Sequence, residues 1–556
     1  MLPRKTLLGY CGFFVCSVLL WTCCGSRVCA QSAKIKVAVV QYRPILRDLS
    51  SNRKSIVSST TEAAKEGAKI IVQTEMATSG YSFFSRDEIS KVAEEIPGTT
   101  TKLVGQVARQ YRVYVVVGLP ERDSGTGRFY NSAVLIGPDG RVLATYRKRS
   151  HLLESSWASI GEGKVPVVRT PLGRIAIAIC ADLYYPEIAR LAAVEGADLL
   201  VVPTNGGFDA DLVQVRAFEN HMAIALADRY GQEERGASRS PFSQETFTIP
   251  LPFAYDFNFG PESAIVTGEG VIAAHSNGAK DAIVFAEISL AHRQLPLKRH
   301  PETYSILGQD TLEDYTFKNL GLPKPASVVA GAGKLDSIVS QFANAVKSEV
   351  ERLKAQKSGL QLAVLPAHSS STEQLGELAG EIVKVAQAEQ VDIVVGVTEQ
   401  VGDKRYATSV FSGSDGKTGF YREIHDRIEG EATGEDFFVI DRSYGRVALL
   451  GGDDLLAPES TRVLAKLGVD LVAVSADSDV SKLSAICRVR TTDGLELIVA
   501  NKSGQDGIYQ NDFSLQAQQF QESAGDVVAT INTINARNKK ELRRFDGWDD
   551  LLRRGQ

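Results

Sequence analysis

The 556 residues are 44% hydrophobic and 23% charged, ordinary proportions for a globular chain that buries sizeable cores. A net charge of -5 gives no electrostatic case for nucleic acid or an anionic membrane as a partner. Length alone argues for two or more domains.

The first thirty residues do not read as fold. Arg4 and Lys5 precede a nearly unbroken apolar run from Leu7 to Thr22, and Val28-Cys29-Ala30 offers small residues before Gln31. These are the three parts of a secretory signal, so residues 1–30 are expected to direct the chain out of the cytoplasm, to the periplasm or beyond. A retained anchor helix is the alternative, and the run is somewhat short for one. Leu20-Trp21-Thr22-Cys23 is a poor lipid-attachment box because of its bulky Trp21. Five of the seven cysteines fall in this leader, leaving Cys180 and Cys487. An exported chain built on disulfides would carry more. A Cys180–Cys487 bridge is one reading; a free Cys180, either buried or chemically used, is the other.

Beyond the leader, strands alternate with helices. KIKVAVVQY (35–43), KIIVQTE (69–75), YRVYVVVGLPE (111–121), RIAIAIC (174–180) and DLLVVPTN (198–205) read as apolar strands. Ser51 to Gly67, Thr99 to Arg109 and PEIARLAAVEGA (186–197) read as helices. RFYNSAVLIGPDGRVLATYRK (128–148) is two strands around a Pro-Asp-Gly turn. Apolar strands with intervening helices imply an α/β chain whose sheets are covered on their faces.

The pattern then repeats. VYVVVGLPE (113–121) returns as VDIVVGVTE (391–399), and FYNSAVLIGPDGRVLATYRK (129–148) returns loosely as RYATSVFSGSDGKTGFYRE (405–423). GRIAIAICADLYYPEIARLAAVEGADLLVVPTN (173–205) returns as GRVALLGGDDLLAPESTRVLAKLGVDLVAVSAD (445–477), and DAIVFAEISL (281–290) as GDVVATINTI (525–534). Four matches in order point to two copies of one fold, 33–305 and 325–540, joined by residues 300–325.

The copies differ where chemistry would sit. Glu75 meets Ala367, Lys148 meets Glu423, and Cys180 meets Gly452. Three reactive strand-end residues are lost while the apolar strands persist. A thiol is mostly protonated near neutral pH and needs a base; a desolvated strand-end carboxylate can serve. A lysine beside them offsets the repulsion between carboxylate and thiolate, and can hold a developing oxyanion. Glu75, Lys148 and Cys180 therefore make a workable acyl-transfer site that requires no metal or cofactor.

These motifs resemble the nitrilase, or carbon–nitrogen hydrolase, superfamily. The matching residues are the glutamate of IVQTEMATSGY, the lysine of YRKRSHL and the cysteine of ICADLYYPEIARLAAVEGADLLVVPTN, with RAFEN (216–220) and RHPETY (299–304) fitting later motifs. The resemblance covers essentially all of residues 33–305. It implies tandem αββα sandwiches, with Glu75 as general base, Lys148 supporting a tetrahedral intermediate and Cys180 as the acylated nucleophile. It also implies a second glutamate, best matched by Glu154, and an oxyanion-holding N–H at Ala181. No chemistry carries over to the second copy.

Asn205 and Phe208 follow the next strand and are candidates for the substrate pocket, with a plain loop role equally open. Asp182 is expected to cap the following helix, His151 to be structural, and Cys487 to be core. The expected activity is hydrolysis of a small amide. Ala181-Asp182 after the nucleophile, where true nitrilases usually carry Trp-Glu, favours amide over nitrile; ureido and carbamoyl substrates stay open. The contrasting class is a non-catalytic binding or scaffold protein. The second copy is expected to pack on the first as a built-in pseudo-partner, with further homo-oligomerisation left open. RRFDGWDDLLRR (543–554) is either a packing arm or a frayed end.

Overall fold

The computed structural model describes residues 34–150, 153–206, 209–234, 256–259, 263–291, 294–308, 321–335, 342–372, 374–425, 431–476, 482–511, 519–537 and 539. The expected leader, His151, Phe208 and the 543–554 tail lie outside them. From Lys34 onward the chain clusters as one compact unit.

Four six-stranded mixed sheets carry the fold. In the first, strand Lys34–Gln41 pairs in parallel with Ile70–Val72 and antiparallel with Ala282–Ser289. Tyr114–Arg122, Phe129–Ile136 and Val142–Arg147 complete it. The second sheet has Gly173–Ile177, Leu199–Pro203 and Ala223–Ala227 as its parallel centre. These strands are buried on both faces, which explains their unbroken Val, Ile, Leu and Ala runs.

The third and fourth sheets repeat this arrangement strand for strand. Val527–Asn532, Ser327–Ala332, Leu360–Thr372, Asp392–Val401, Lys404–Ser412 and Thr418–Arg422 stand in the order of the first sheet. Val439–Arg442, Gly445–Gly451, Leu471–Ala476, Glu496–Asn501, Asp506–Tyr509 and Phe520–Ser523 stand in the order of the second. Helices Leu49–Lys65 and Thr99–Tyr111 bury Ile56, Ala63, Val104 and Ala108 on the outer face of the first sheet. Helices Phe342–Gln356 and Leu375–Glu389 do the same on the third. The expected α/β architecture of paired sheets with outer helices is the one observed.

Between the second and fourth sheets, helices of the two halves meet. Both Pro186–Val194 and Pro458–Lys466 begin Pro-Glu and carry arginine three residues after the glutamate. Arg462 Nε donates to Glu187 Oε1 at 2.6 Å, and Arg190 Nε lies 3.3 Å from Glu459 Oε1. Each half thus offers the same two charges to the other, the pattern of an isologous interface. All four side chains are buried, and one apolar core runs through both halves.

Candidate active site

The three strand-end residues of the sequence reading converge, although each stands just beyond its strand. Strand Ile70–Val72 stops early, and Glu75 lies in the turn that follows. Gly118 makes that turn possible: a Cβ there would come 2.7 Å from the Glu75 Cα and 2.6 Å from the Thr74 carbonyl oxygen. Lys148 follows strand Val142–Arg147 by one residue. Cys180 is not the last residue of an apolar strand. Strand Gly173–Ile177 ends three residues earlier, and Cys180 opens the short 3-10 turn Cys180–Tyr184.

Cys180 has φ of 49°, a left-handed backbone that a residue with a Cβ adopts only when its surroundings hold it there. Asp182 supplies part of that hold. Its Oδ2 accepts from Ile179 N–H at 3.0 Å and from the Tyr146 hydroxyl at 2.8 Å, and its Oδ1 accepts from Ser150 N–H at 2.9 Å and the Ser150 hydroxyl at 2.7 Å. One buried carboxylate thus ties the cysteine turn to the segment that carries Lys148. Asp182 does not cap the following helix, whose first turn is preceded by Tyr185 with no side-chain cap; it sits inside the cysteine turn and bonds back to Ile179. Arg216, in the RAFEN motif, donates to the carbonyls of Leu183 at 2.8 Å and Tyr184 at 3.2 Å from the other side.

Lys148 Nζ lies 2.9 Å from Glu75 Oε1 and 2.5 Å from Glu154 Oε1, with all three side chains at most 1% exposed. Glu154 sits in the 3-10 turn Leu153–Ser156. Asn131, a residue the sequence reading did not single out, joins the same two oxygens: its Nδ2 donates to Glu75 Oε1 at 2.6 Å and to Glu154 Oε1 at 2.9 Å. A signal for it was present, because Asn131 aligns with Ala407 in the second copy just as Glu75 aligns with Ala367. Glu75 Oε2 is engaged by neither the lysine nor the asparagine.

Burial pushes the Glu75 carboxyl above its usual range; the Lys148 ammonium opposes that rise and the Glu154 carboxylate adds to it. Burial also raises the Cys180 thiol, and the nearby Glu75 charge raises it further, against the pull of Lys148. Burial disfavours the charged form of Lys148, yet Glu154 and Glu75 override it and hold the ammonium well above its ordinary pKa. The resting arrangement is a protonated thiol beside a carboxyl that binds its proton more tightly than usual, both next to a permanent cation. A base of raised affinity and a thiol that yields its proton only as it reacts are suited to concerted proton transfer.

Ala181 is buried next to the cysteine, and Asn205 lies two residues past strand Leu199–Pro203. Neither amide atom of Asn205 has a hydrogen-bond partner although the residue is 7% exposed. Its backbone and the neighbouring Thr204 hydroxyl counter the rise of the Cys180 thiol. Phe208 and His151 lie outside the described residues. Cys180 and Cys487 are both free, which removes the bridge alternative; Cys487 is fully buried in helix Leu483–Thr491, as expected of a core residue.

The carbon-nitrogen hydrolase model matches residues 36–295 and again 355–489. The chain belongs to the carbon-nitrogen hydrolase family. It is 36% identical over 207 residues to a nitrilase of Pyrococcus abyssi, covering 36% of this chain and 77% of that protein. It is 34% identical over 287 residues to omega-amidase NIT2 of Homo sapiens, covering 48% of this chain and 94% of that one. Among solved structures, an amidase from Nesterenkonia sp. aligns with a TM-score of 0.37 at 22% identity, covering 47% of this chain and 92% of its own. The family supports hydrolase activity on carbon–nitrogen bonds.

Proposed function

We propose that this chain is an exported thiol amidase whose working site is the Glu75, Lys148, Cys180 cluster of the first half. The observation that carries the reading is the buried contact of Lys148 with both Glu75 and Glu154, beside a cysteine held at positive φ. Cys180 attacks the amide carbon as its thiol proton passes to Glu75. The carbonyl oxygen takes up the electron pair and is held by the Lys148 ammonium and the Ala181 N–H. The C–N bond breaks, and the amine leaves with the proton that Glu75 returns. Water, deprotonated by Glu75, then cleaves the thioester, releasing the acid and restoring the thiol. Glu154 and Asn131 fix the lysine and Glu75 in register, and the unpartnered Asn205 amide faces the substrate.

Amide substrates are favoured over nitriles by Ala181-Asp182 after the nucleophile and by the omega-amidase name of a relative that aligns over almost its whole length. The reciprocal Glu187–Arg462 and Arg190–Glu459 pairs support the second half as a built-in partner, one that lost its own chemistry. Export rests on residues 1–30; among the described residues no helix is long and apolar enough to cross a membrane. Ammonia release from small amides, lost in Cys180→Ala, tests the reading. A Cys180→Ala variant as active as the parent would overturn it.

A further inference from the structure

The cysteine turn is held from the second half of the chain as well as from the first. Arg216 satisfies two carbonyls of the turn Cys180–Tyr184, that of Leu183 at 2.8 Å through Nε and that of Tyr184 at 3.2 Å through Nη2. Its Nη1 donates to Glu219 Oε1 at 2.8 Å. The other oxygen of that carboxylate, Oε2, accepts from Arg490 Nη2 at 2.6 Å, and Arg490 belongs to the second half. All three side chains are at most 1% exposed. A line of dry, charged bonds thus runs from Arg490 through Glu219 and Arg216 to the turn that carries Cys180.

The repeat shows which part of this line is shared and which is not. Arg490 is the counterpart of Arg216. Its helix Leu483–Thr491 corresponds to Ala210–Phe218, and its Nε and Nη2 donate to the Leu455 carbonyl at 3.0 and 2.8 Å, as Arg216 donates to Leu183. The symmetry ends at the carboxylate. Asp493 is the counterpart of Glu219, yet it accepts from Arg462 Nη1 at 3.0 Å and from the Thr461 hydroxyl at 2.7 Å. Glu219 alone joins the two turn-holding arginines. The turn beyond Arg490 has Gly452 where the first has Cys180, so only one of the two linked turns has a thiol to place.

The charges depend on one another. Burial pulls the Arg216 guanidinium below its ordinary pKa; Glu219 opposes that fall and the neighbouring Arg490 adds to it. Burial also disfavours the Glu219 carboxylate, but Arg490, Arg216 and Arg190 together outweigh it and hold the group below the usual glutamate range, with Arg490 the largest of the three. Without Arg490 the carboxylate loses its nearest cation and grips Arg216 less firmly, and Arg216 is freer to leave the turn carbonyls.

We propose that Arg490 is a positioning residue for Cys180: acting through Glu219 and Arg216, it fixes the turn that places the thiol, so the second half sustains turnover in the first. The inference rests on Cys180 as the nucleophile.

The test compares Arg490→Met, Arg490→Lys and Cys180→Ala with the parent, each as the full chain and well below its melting temperature. Two quantities are read: steady-state ammonia release from a small amide, and amide hydrogen exchange over residues 179–185. Arg490→Met should lower kcat about 10–100-fold and leave KM within about twofold, because the nucleophile shifts while the substrate contacts remain. Exchange over 179–185 should quicken about tenfold or more in the same variant. Arg490→Lys, which returns a cation to Glu219, should recover most of both losses. A purely structural arginine would lower the melting temperature and leave kcat and this exchange unchanged. Should Arg490→Met fail to fold, Arg490→Gln, which keeps a donor for Glu219 without the charge, takes its place with the same expectations. A parent chain as silent on amides as Cys180→Ala would fail the nucleophile reading, and the exchange would then decide this one. The proposal is overturned if kcat of Arg490→Met matches the parent, if Arg490→Lys recovers nothing, or if exchange over 179–185 is unchanged.

Discussion

Glu187→Ala is the sharpest perturbation of the interface between the halves. It leaves Arg462 with Asp493 at 3.0 Å but removes the nearer of its two carboxylates, in a setting where the arginine is 1% exposed. Two buried carboxylates hold the Arg462 guanidinium above its ordinary pKa in spite of burial, so the side chain cannot shed its charge to escape the loss. Removing one partner of a buried pair costs about 3–5 kcal/mol. For a cooperative unit of this size, with an unfolding entropy near 1 kcal/mol/K, that lowers the melting temperature by roughly 3–5 °C. Replacing the whole cluster, Glu187→Leu with Arg462→Met and Asp493→Asn, removes every stranded charge, keeps an amide oxygen at position 493 to accept from the Thr461 hydroxyl and should recover most of the loss. Differential scanning calorimetry of the parent, the single variant and the triple variant reads this directly. A Glu187→Ala protein that melts with the parent, or a triple variant that melts lower than the single one, would refute the view that the pair is a dry, reciprocal contact. The same variants should lower activity, because helix Pro186–Val194 starts directly after the cysteine turn.

Other outcomes follow from the site and the core. Asn131→Ala removes a donor from both Glu75 and Glu154, and kcat/KM should fall about 10–100-fold with the melting temperature nearly unchanged; steady-state kinetics beside a thermal melt checks it. Since Glu75 must be ionised to accept the thiol proton and burial raises its pKa, kcat/KM should fall on acidification around a midpoint above that of an ordinary glutamate. A pH profile whose acid limb sits at the ordinary glutamate value would contradict that assignment. Glu496 is buried with its carboxyl raised to about 8. A raised acid favours the protonated folded state, so its stabilising contribution is present below about pH 4 and is lost as pH rises toward 8. Glu496→Gln should therefore match the parent in melting temperature at low pH and exceed it near pH 8; equal curves at both ends would count against a buried carboxyl there.

The apolar runs made the fold legible, because strands covered on both faces carry an unbroken signal that polar loops do not blur. Comparing the copies then separated packing from chemistry at Glu75, Lys148 and Cys180. It would also have exposed Asn131, whose loss at Ala407 sits one turn away from the residues compared. The strand ends were less legible. Glu75 and Cys180 each lie three residues past their strands because their turns are fixed by tertiary contacts, Gly118 beneath one and Asp182 beneath the other. Nothing local to IAICAD announces a left-handed cysteine. The reciprocal pairing of the two Pro-Glu helices was readable in outline, since both segments carry glutamate and arginine at the same spacing, but the partner of each charge is set only when the halves meet. RAFEN and RHPETY acquire a physical role in the same place: Glu219 receives Arg490 at 2.6 Å and Arg299 reaches Glu459 at 3.2 Å, both across the halves.

The raised thiol changes which experiment is decisive. A generic thiolate probe should find Cys180 slow whether or not it is a nucleophile, because burial and the nearby Glu75 charge raise the thiol's pKa. Turnover is the direct readout. Ammonia release should be measured for the full chain and for Cys180→Ala against a panel of small amides, ureides and nitriles. The parent chain should release ammonia from amides and the variant should release none. Release that persists in Cys180→Ala, or a parent chain silent on every class, would contradict Cys180 as the nucleophile.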